Sequence, residues 1–218
     1  MKPTLIFDYD GTIHNTIHIY ESAFRKAFQW LVDEGYTAEQ SISTERIASW
    51  LGMNSREMWN SFLPQLPDQV KNAASQKVGD YMVEQIRAHE ALWYPGAEKM
   101  LDTLHEDGYQ MVILSNCKVA YRQANWEIFS MDRWFDGFYD CESYGFIPKT
   151  EIIGRLAKHL QKPYIVIGDR AADLQCARAC DSYFIGCRYG FGVEGELEGA
   201  DVLVDSPGEM YRAITKSI

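Results

Sequence analysis

The chain has 218 residues, 46% of them hydrophobic, and a formal net charge of −10, a balance that supports a packed core and excludes the basic stripe of a nucleic-acid binder. No apolar run approaches the ~18 residues needed to span a bilayer, and the opening MKPTLIFDYD is unlike a signal peptide. The five cysteines form no CxxC pair, so the expectation is a cytoplasmic protein with reduced thiols, no membrane partner, and a monomeric or homodimeric state.

In chain order, Leu5-Ile6-Phe7, after Thr4, reads as a fully buried strand of a parallel sheet and runs directly into Asp8-Tyr9-Asp10-Gly11-Thr12. Gly11 suits a sharp exit from the strand. Carboxylates at the C-terminal end of such a strand sit where open α/β sheets bind ligands. At roughly 4 Å and an effective dielectric of about 20 the two repel by about 4 kcal/mol, which calls for a cation or a shared proton. The plainer account is a turn cap with an exposed neighbour.

Residues 16–90 carry helical stripes instead: Phe24, Phe28, Leu31 and Val32; then Ile47, Trp50 and Leu51; then Val78, Met82 and Ile86. No buried-strand run separates them, and Leu63-Pro64-Gln65-Leu66-Pro67-Asp68 reads as a loop. Trp30, Trp50 and Trp59 are expected to pack this block. Asn15 is expected to begin a hinge and cap the first helix, with His14 and His18 packing there or touching substrate.

From about residue 93 strand and helix alternate. A helix is expected over residues 95–107 and a strand over 110–114 that stops at Ser115-Asn116. A weak strand at 138–140 precedes a helix over 150–160, opened by Lys149. A buried strand at 164–167 ends in Gly168-Asp169, and strands at 182–185 and 202–204 complete the series. The fold class is therefore α/β, a doubly wound parallel sheet with an inserted all-helical domain. The boundaries read as 1–15 and 91–218 for the core and 16–90 for the insert.

Parallel strands bring their C-terminal ends to one edge, so Asp8, Asp10, Ser115, Asn116, Lys149 and Asp169 should converge. Phosphate monoester hydrolysis is among the slowest uncatalysed reactions, and a carboxylate nucleophile divides it into two steps. Mg²⁺ suits carboxylates and a phosphate, while Lys149 and Ser115 can hold phosphoryl oxygens. The amides of Asn116 and Cys117, expected to open the next helix, would add donors.

In this order the motifs Asp8-Tyr9-Asp10-Gly11-Thr12, Ser115-Asn116, Lys149, and Gly168-Asp169 through Asp173 resemble the haloacid-dehalogenase-like hydrolases, in their phosphatase branch with a helical cap. Pro95-Gly96, Gly190-Phe191-Gly192 and Gly199-Ala200-Asp201 are similar to the phosphoglycolate-phosphatase group. The resemblance implies a Rossmann-like core in which Asp8 is the nucleophile and Asp10 the general acid and then base. It implies Mg²⁺ held by Asp8, the Asp10 carbonyl and Asp169, with Asp173 close by; an acid in a helix's first turn is also favourable on its own. Ser115, Asn116, Lys149, Gly11 and Thr12 would bind phosphate.

Three positions depart from the family's pattern: His14-Asn15-Thr16 stands where relatives often have an acid before Ser or Thr, Cys117 where they often have Lys, and Thr150 where Pro is commoner. Arg56, in Gly52-Met53-Asn54-Ser55-Arg56-Glu57, either faces a substrate anion or is a solvated helix arginine. The expected activity is Mg²⁺-dependent hydrolysis of a small phosphorylated metabolite. A β-phosphoglucomutase-like phosphomutase, a pyrophosphatase and a nucleotidase are the alternatives.

Overall fold

The computed structural model describes residues 2–53 and 55–217. Six parallel strands, β1 (Thr4–Phe7), β2 (Met111–Ser115), β3 (Gly137–Asp140), β4 (Tyr164–Gly168), β5 (Tyr183–Cys187) and β6 (Val202–Val204), form one sheet in the order β3-β2-β1-β4-β5-β6. β1 is central, with Leu5 opposite Met111 on one side and Ile165 on the other.

Alternation along the strands sorts side chains to the two faces. Leu5, Phe7, Met111, Ile113, Ile165 and Ile167 join an apolar cluster on one face, with Met100 and Leu104 of α5 (Ala97–Glu106), Ala124 of α6 (Val119–Ile128) and Met210 of α9 (Pro207–Lys216). Ile6, Val112, Leu114 and Val166 point the other way, onto Ile152 and Ile153 of α7 (Lys149–Leu156) and Cys176 of α8 (Ala171–Ala179). Helices on both faces make the expected doubly wound sheet.

The expected elements shift by a few residues for local reasons. α5 begins at Ala97, because Gly96 takes φ 86°, a left-handed value that no helical residue adopts. α7 starts on Lys149 itself and stops at Leu156, four residues early, although Leu160 still packs on the core.

Between β1 and α5 lie α1 (Ile17–Asp33), α2 (Thr44–Ala48), α3 (Ser55–Phe62) and α4 (Asp68–Arg87), which enclose a separate apolar cluster. Phe24 is its hub, with ring centroids 5.0 Å from Trp50 and 5.8 Å from Trp59. Trp30 is only partly buried and lies at the rim, beside Tyr36. The two strands of chain joining this block to the sheet are zipped together, with Asn15 N donating to Leu92 O and Tyr94 N to Ile13 O, each at 2.9 Å. Asn15 does not cap α1: the cap position is Thr16, and its hydroxyl turns away to Asp10.

Candidate active site

The chain leaves β1 at Asp8, whose amide still donates to Ile167 O at 2.7 Å, and then turns sharply. Gly11 makes the turn at φ 84°, and a Cβ there would stand 2.2 Å from Asp169 Oδ2. Glycine is thus required both by the backbone and by the close approach of β4's end. Asp8 is buried, and its Oδ1 accepts from Lys149 Nζ at 2.6 Å. The same ammonium donates to Asp173 Oδ1 at 2.6 Å. Asp173 sits in the first turn of α8, where its Oδ2 accepts from Arg170 N at 3.1 Å. Its bond to the helix start and its bond to Lys149 therefore coexist.

One carboxylate oxygen from each of Asp8, Asp169 and Asp173 can be chosen so that all lie within 4.8 Å of one another. Burial raises the Asp8 carboxyl to about 7 despite the attraction of Lys149, and nearby Asp173 adds to the rise. Asp169 is also raised, by burial first and then by Asp8 and Asp173. Burial would lower Lys149, but Asp173 and Asp8 outweigh it and hold the ammonium above its ordinary value.

Asp169 Oδ2 accepts from Phe191 N at 2.6 Å, whereas its Oδ1 is buried without a partner among the described residues. A buried acceptor left so costs about 1–3 kcal/mol. A Cβ on Gly190 would lie 2.3 Å from Asp169 Cβ, so glycine lets this loop close over the carboxylate. Three buried carboxylates, one of them with an orphaned oxygen, form a hard-donor set that a divalent cation fits.

Asp10 is held differently. Its Oδ1 receives Thr16 Oγ1 at 2.5 Å, Tyr121 OH at 2.6 Å and a contact from His14 Nδ1 at 3.3 Å. Burial pushes its carboxyl up, but the bonds from His14, Thr16 and Tyr121 push harder, and it stays below the usual carboxylate range.

Ser115 is buried at the end of β2, in register with Asp140 of β3, and so reaches the expected edge. Asn116 is exposed, and α6 begins only at Val119, so neither Asn116 nor Cys117 opens a helix. The helix itself starts with the Val119 amide already taken by Glu142 Oε2 at 2.9 Å, so the expected opening of α6 by Asn116 and Cys117 is corrected. Thr12 is buried with its hydroxyl unpartnered among the described residues.

Arg56 is exposed on α3 and shows no hydrogen bond or ion pair to the carboxylate cluster among the described residues. Asn54 of the same loop lies outside them. One polar contact between the helical block and the core is made by Arg170, which pairs with Glu196 at 2.7 and 3.0 Å and donates to Leu51 O. Sequence reasoning missed Arg170, Thr16 and Tyr121. Arg170 is hidden between two motif acids, and Tyr121 lies in an ordinary helical stripe.

The model of one family, described as haloacid dehalogenase-like hydrolase, matches residues 5–187, most of the chain. The chain belongs to the haloacid dehalogenase-like hydrolases. Within that family it is 23% identical over 182 residues to the pyrophosphatase PpaX of Halalkalibacterium halodurans, covering 78% of this chain and 76% of the relative. It is 22% identical over 199 residues to a phosphoglycolate phosphatase of Pasteurella multocida, covering 85% of each. The crystal structure of a predicted phosphatase from Clostridium acetobutylicum superposes with a TM-score of 0.84 at 21% identity, over 99% of each chain. As a haloacid dehalogenase-like hydrolase, the chain places its carboxylate cluster at the C-terminal edge of the sheet. Among the described residues, no helix is long and apolar enough to cross a membrane.

Proposed function

We propose that this hydrolase is a Mg²⁺-dependent phosphatase for a small phosphorylated metabolite, with residues 16–90 acting as a cap over the site. The observation that carries the reading is Asp8, buried at the end of β1, held at 2.6 Å by Lys149 and grouped with Asp169 and Asp173. A nucleophile needs a fixed position and a neighbouring cation for the charge that develops on the phosphoryl group.

Asp8, the Asp10 carbonyl and Asp169 would hold the cation, with Asp173 beside it. When bound, Mg²⁺ would neutralise phosphoryl charge and the mutual repulsion of these acids. The Asp8 carboxylate attacks phosphorus, and the bond to the leaving oxygen breaks. That oxygen takes its proton from Asp10, which ends as a carboxylate. Asp10 then removes a proton from water, whose oxygen attacks the aspartyl-phosphate, releasing phosphate and restoring Asp8. Lys149 and Ser115 steady the phosphoryl oxygens.

The names of the two curated relatives make phosphoglycolate and pyrophosphate the first substrates to try. A phosphate-release screen over both, with hexose phosphates and nucleotides, with and without Mg²⁺, tests the reading, with Asp8→Asn as the blank. Release should need the cation and vanish in Asp8→Asn. Cation-dependent release that survives Asp8→Asn would overturn the assignment, and isomerisation without net release would favour a mutase.

A further inference from the structure

We propose that Tyr121 and His14 are positioning residues for Asp10, gripping it by Oδ1 so that Oδ2 is the oxygen that exchanges the proton. This rests on the reading of Asp10 as the acid–base residue.

The grip is one-sided. Thr16, Tyr121 and His14 all converge on Oδ1, while Oδ2 has no partner among the described residues and the side chain stays 22% exposed. Counting protons sets the direction of each bond. The Tyr121 and Thr16 hydroxyls each have one proton, and both are directed at Asp10. The 2.7 Å approach of His14 Nδ1 to the Tyr121 oxygen, and the 3.0 Å approach to Thr16 Oγ1, therefore require Nδ1 to carry a proton and donate.

His14 cannot turn away easily. It is fully buried, stacked on the Tyr9 ring at 5.2 Å between centroids, and bridged through its backbone to Asp10 and Trp93. Tyr9 is fixed in turn, donating to Asn125 Oδ1 at 2.8 Å and accepting from Trp93 Nε1 at 3.0 Å. Asn125 stands one turn after Tyr121 on α6 and donates to its carbonyl at 3.0 Å. α6 thus supports both the Tyr121 hydroxyl and the ring beneath His14.

A hydrogen bond to an ionised acceptor is among the stronger kinds, and the two hydroxyl bonds on one oxygen, each backed by His14, fix the carboxyl's rotation. Asp10, a carboxylate in the free enzyme, first takes a proton from solvent on its partly exposed Oδ2; the leaving oxygen then gains the electron pair of the broken P–O bond and that proton. The resulting carboxylate remains held at Oδ1.

The readout is the dependence on the leaving group. Tyr121→Phe should lower kcat/KM roughly tenfold on an accepted alkyl phosphate, whose poor leaving group needs the proton. It should lower kcat/KM less than about threefold on p-nitrophenyl phosphate, which does not need it. Because kcat/KM reports only steps through the release of the leaving group, the later water attack does not blur the comparison. Equal losses on both substrates, or no loss on either, overturn the proposal.

Asp10→Asn is run in parallel. If that variant keeps alkyl phosphate turnover, the acid–base reading itself fails. If it loses turnover while Tyr121→Phe shows no selective loss, only the positioning role fails. Should Tyr121→Phe not fold, 3-fluorotyrosine at position 121 keeps the shape and changes the donor, and an unchanged substrate ratio then refutes the grip.

Discussion

Lys149→Met removes the ammonium that bridges Asp8 and Asp173 in the carboxylate cluster. Methionine keeps most of the stem but leaves Asp8 and Asp173, each 2.6 Å from Nζ, without their shared partner. At that distance and an effective dielectric of about 20, each attraction is about 6 kcal/mol before desolvation is counted. Removing one member of a buried pair costs about 3–5 kcal/mol net. With 218 residues and an unfolding entropy of about 2.1 cal/mol/K per residue, that corresponds to a fall of roughly 7–11 °C in Tm.

The loss should depend on pH. Burial sets the Asp8 carboxyl at about 7, so the Asp8–Lys149 pair is charged on both sides only above that value. At pH 5 Asp8 carries a proton and its attraction to Lys149 is lost, so the cost of removing the lysine shrinks. Thermal melts of both proteins in EDTA at pH 8 and pH 5 measure the difference. Phosphate release should fall about a hundredfold or more as well, the usual effect of losing a preorganised charge. A variant melting within about 2 °C of the parent at pH 8, or losing as much at pH 5, would refute the reasoning.

Two further outcomes follow from the same cluster. Stabilisation of the protein by MgCl₂ should be larger at pH 8 than at pH 5, because raised carboxyls at Asp8 and Asp169 hold protons that compete with the cation at low pH; equal shifts in Tm would contradict this. Gly190→Ala places a Cβ 2.4 Å from Asp169 Oδ2 and 2.5 Å from Gly11 O, so Asp169 must move. Mg²⁺ affinity by titration calorimetry should drop at least about tenfold, as for displaced metal-site groups; unchanged affinity would remove Asp169 from the ligand set.

Much of the core was legible because buried parallel strands announce themselves. Leu5-Ile6-Phe7, Met111-Val112-Ile113-Leu114 and Tyr164-Ile165-Val166-Ile167 are unbroken apolar runs, each ending in a polar residue. Boundaries were less legible where a single backbone angle decides, as at Gly96. The loop after β2 misled for a related reason: Ser115-Asn116 looks like a helix start, but Lys118 is extended at φ −95°, ψ 161° and the helix waits until Val119. Arg56 drew attention through its glycine-containing loop, yet its side chain faces solvent. Arg170 ties this loop to the core through the Leu51 carbonyl, a contact that has no sequence signature.

The sequence alone determined the kind of chemistry, since residue type and strand-end placement specify which groups a parallel sheet must gather at one edge. It determined the acids Asp8, Asp10 and Asp169 and the cation Lys149 on that basis. Only the tertiary structure decided how they are partnered. Lys149 is shared between Asp8 and Asp173, Asp169 has one buried oxygen without a partner among the described residues, and Asp10 is held by a histidine and a tyrosine 107 positions apart in the chain. Hydrogen bonds and desolvation depend on distances of a few tenths of an ångström between elements remote in sequence. No local pattern of residues encodes those distances; the packing of α6, α7 and α8 against the sheet sets them.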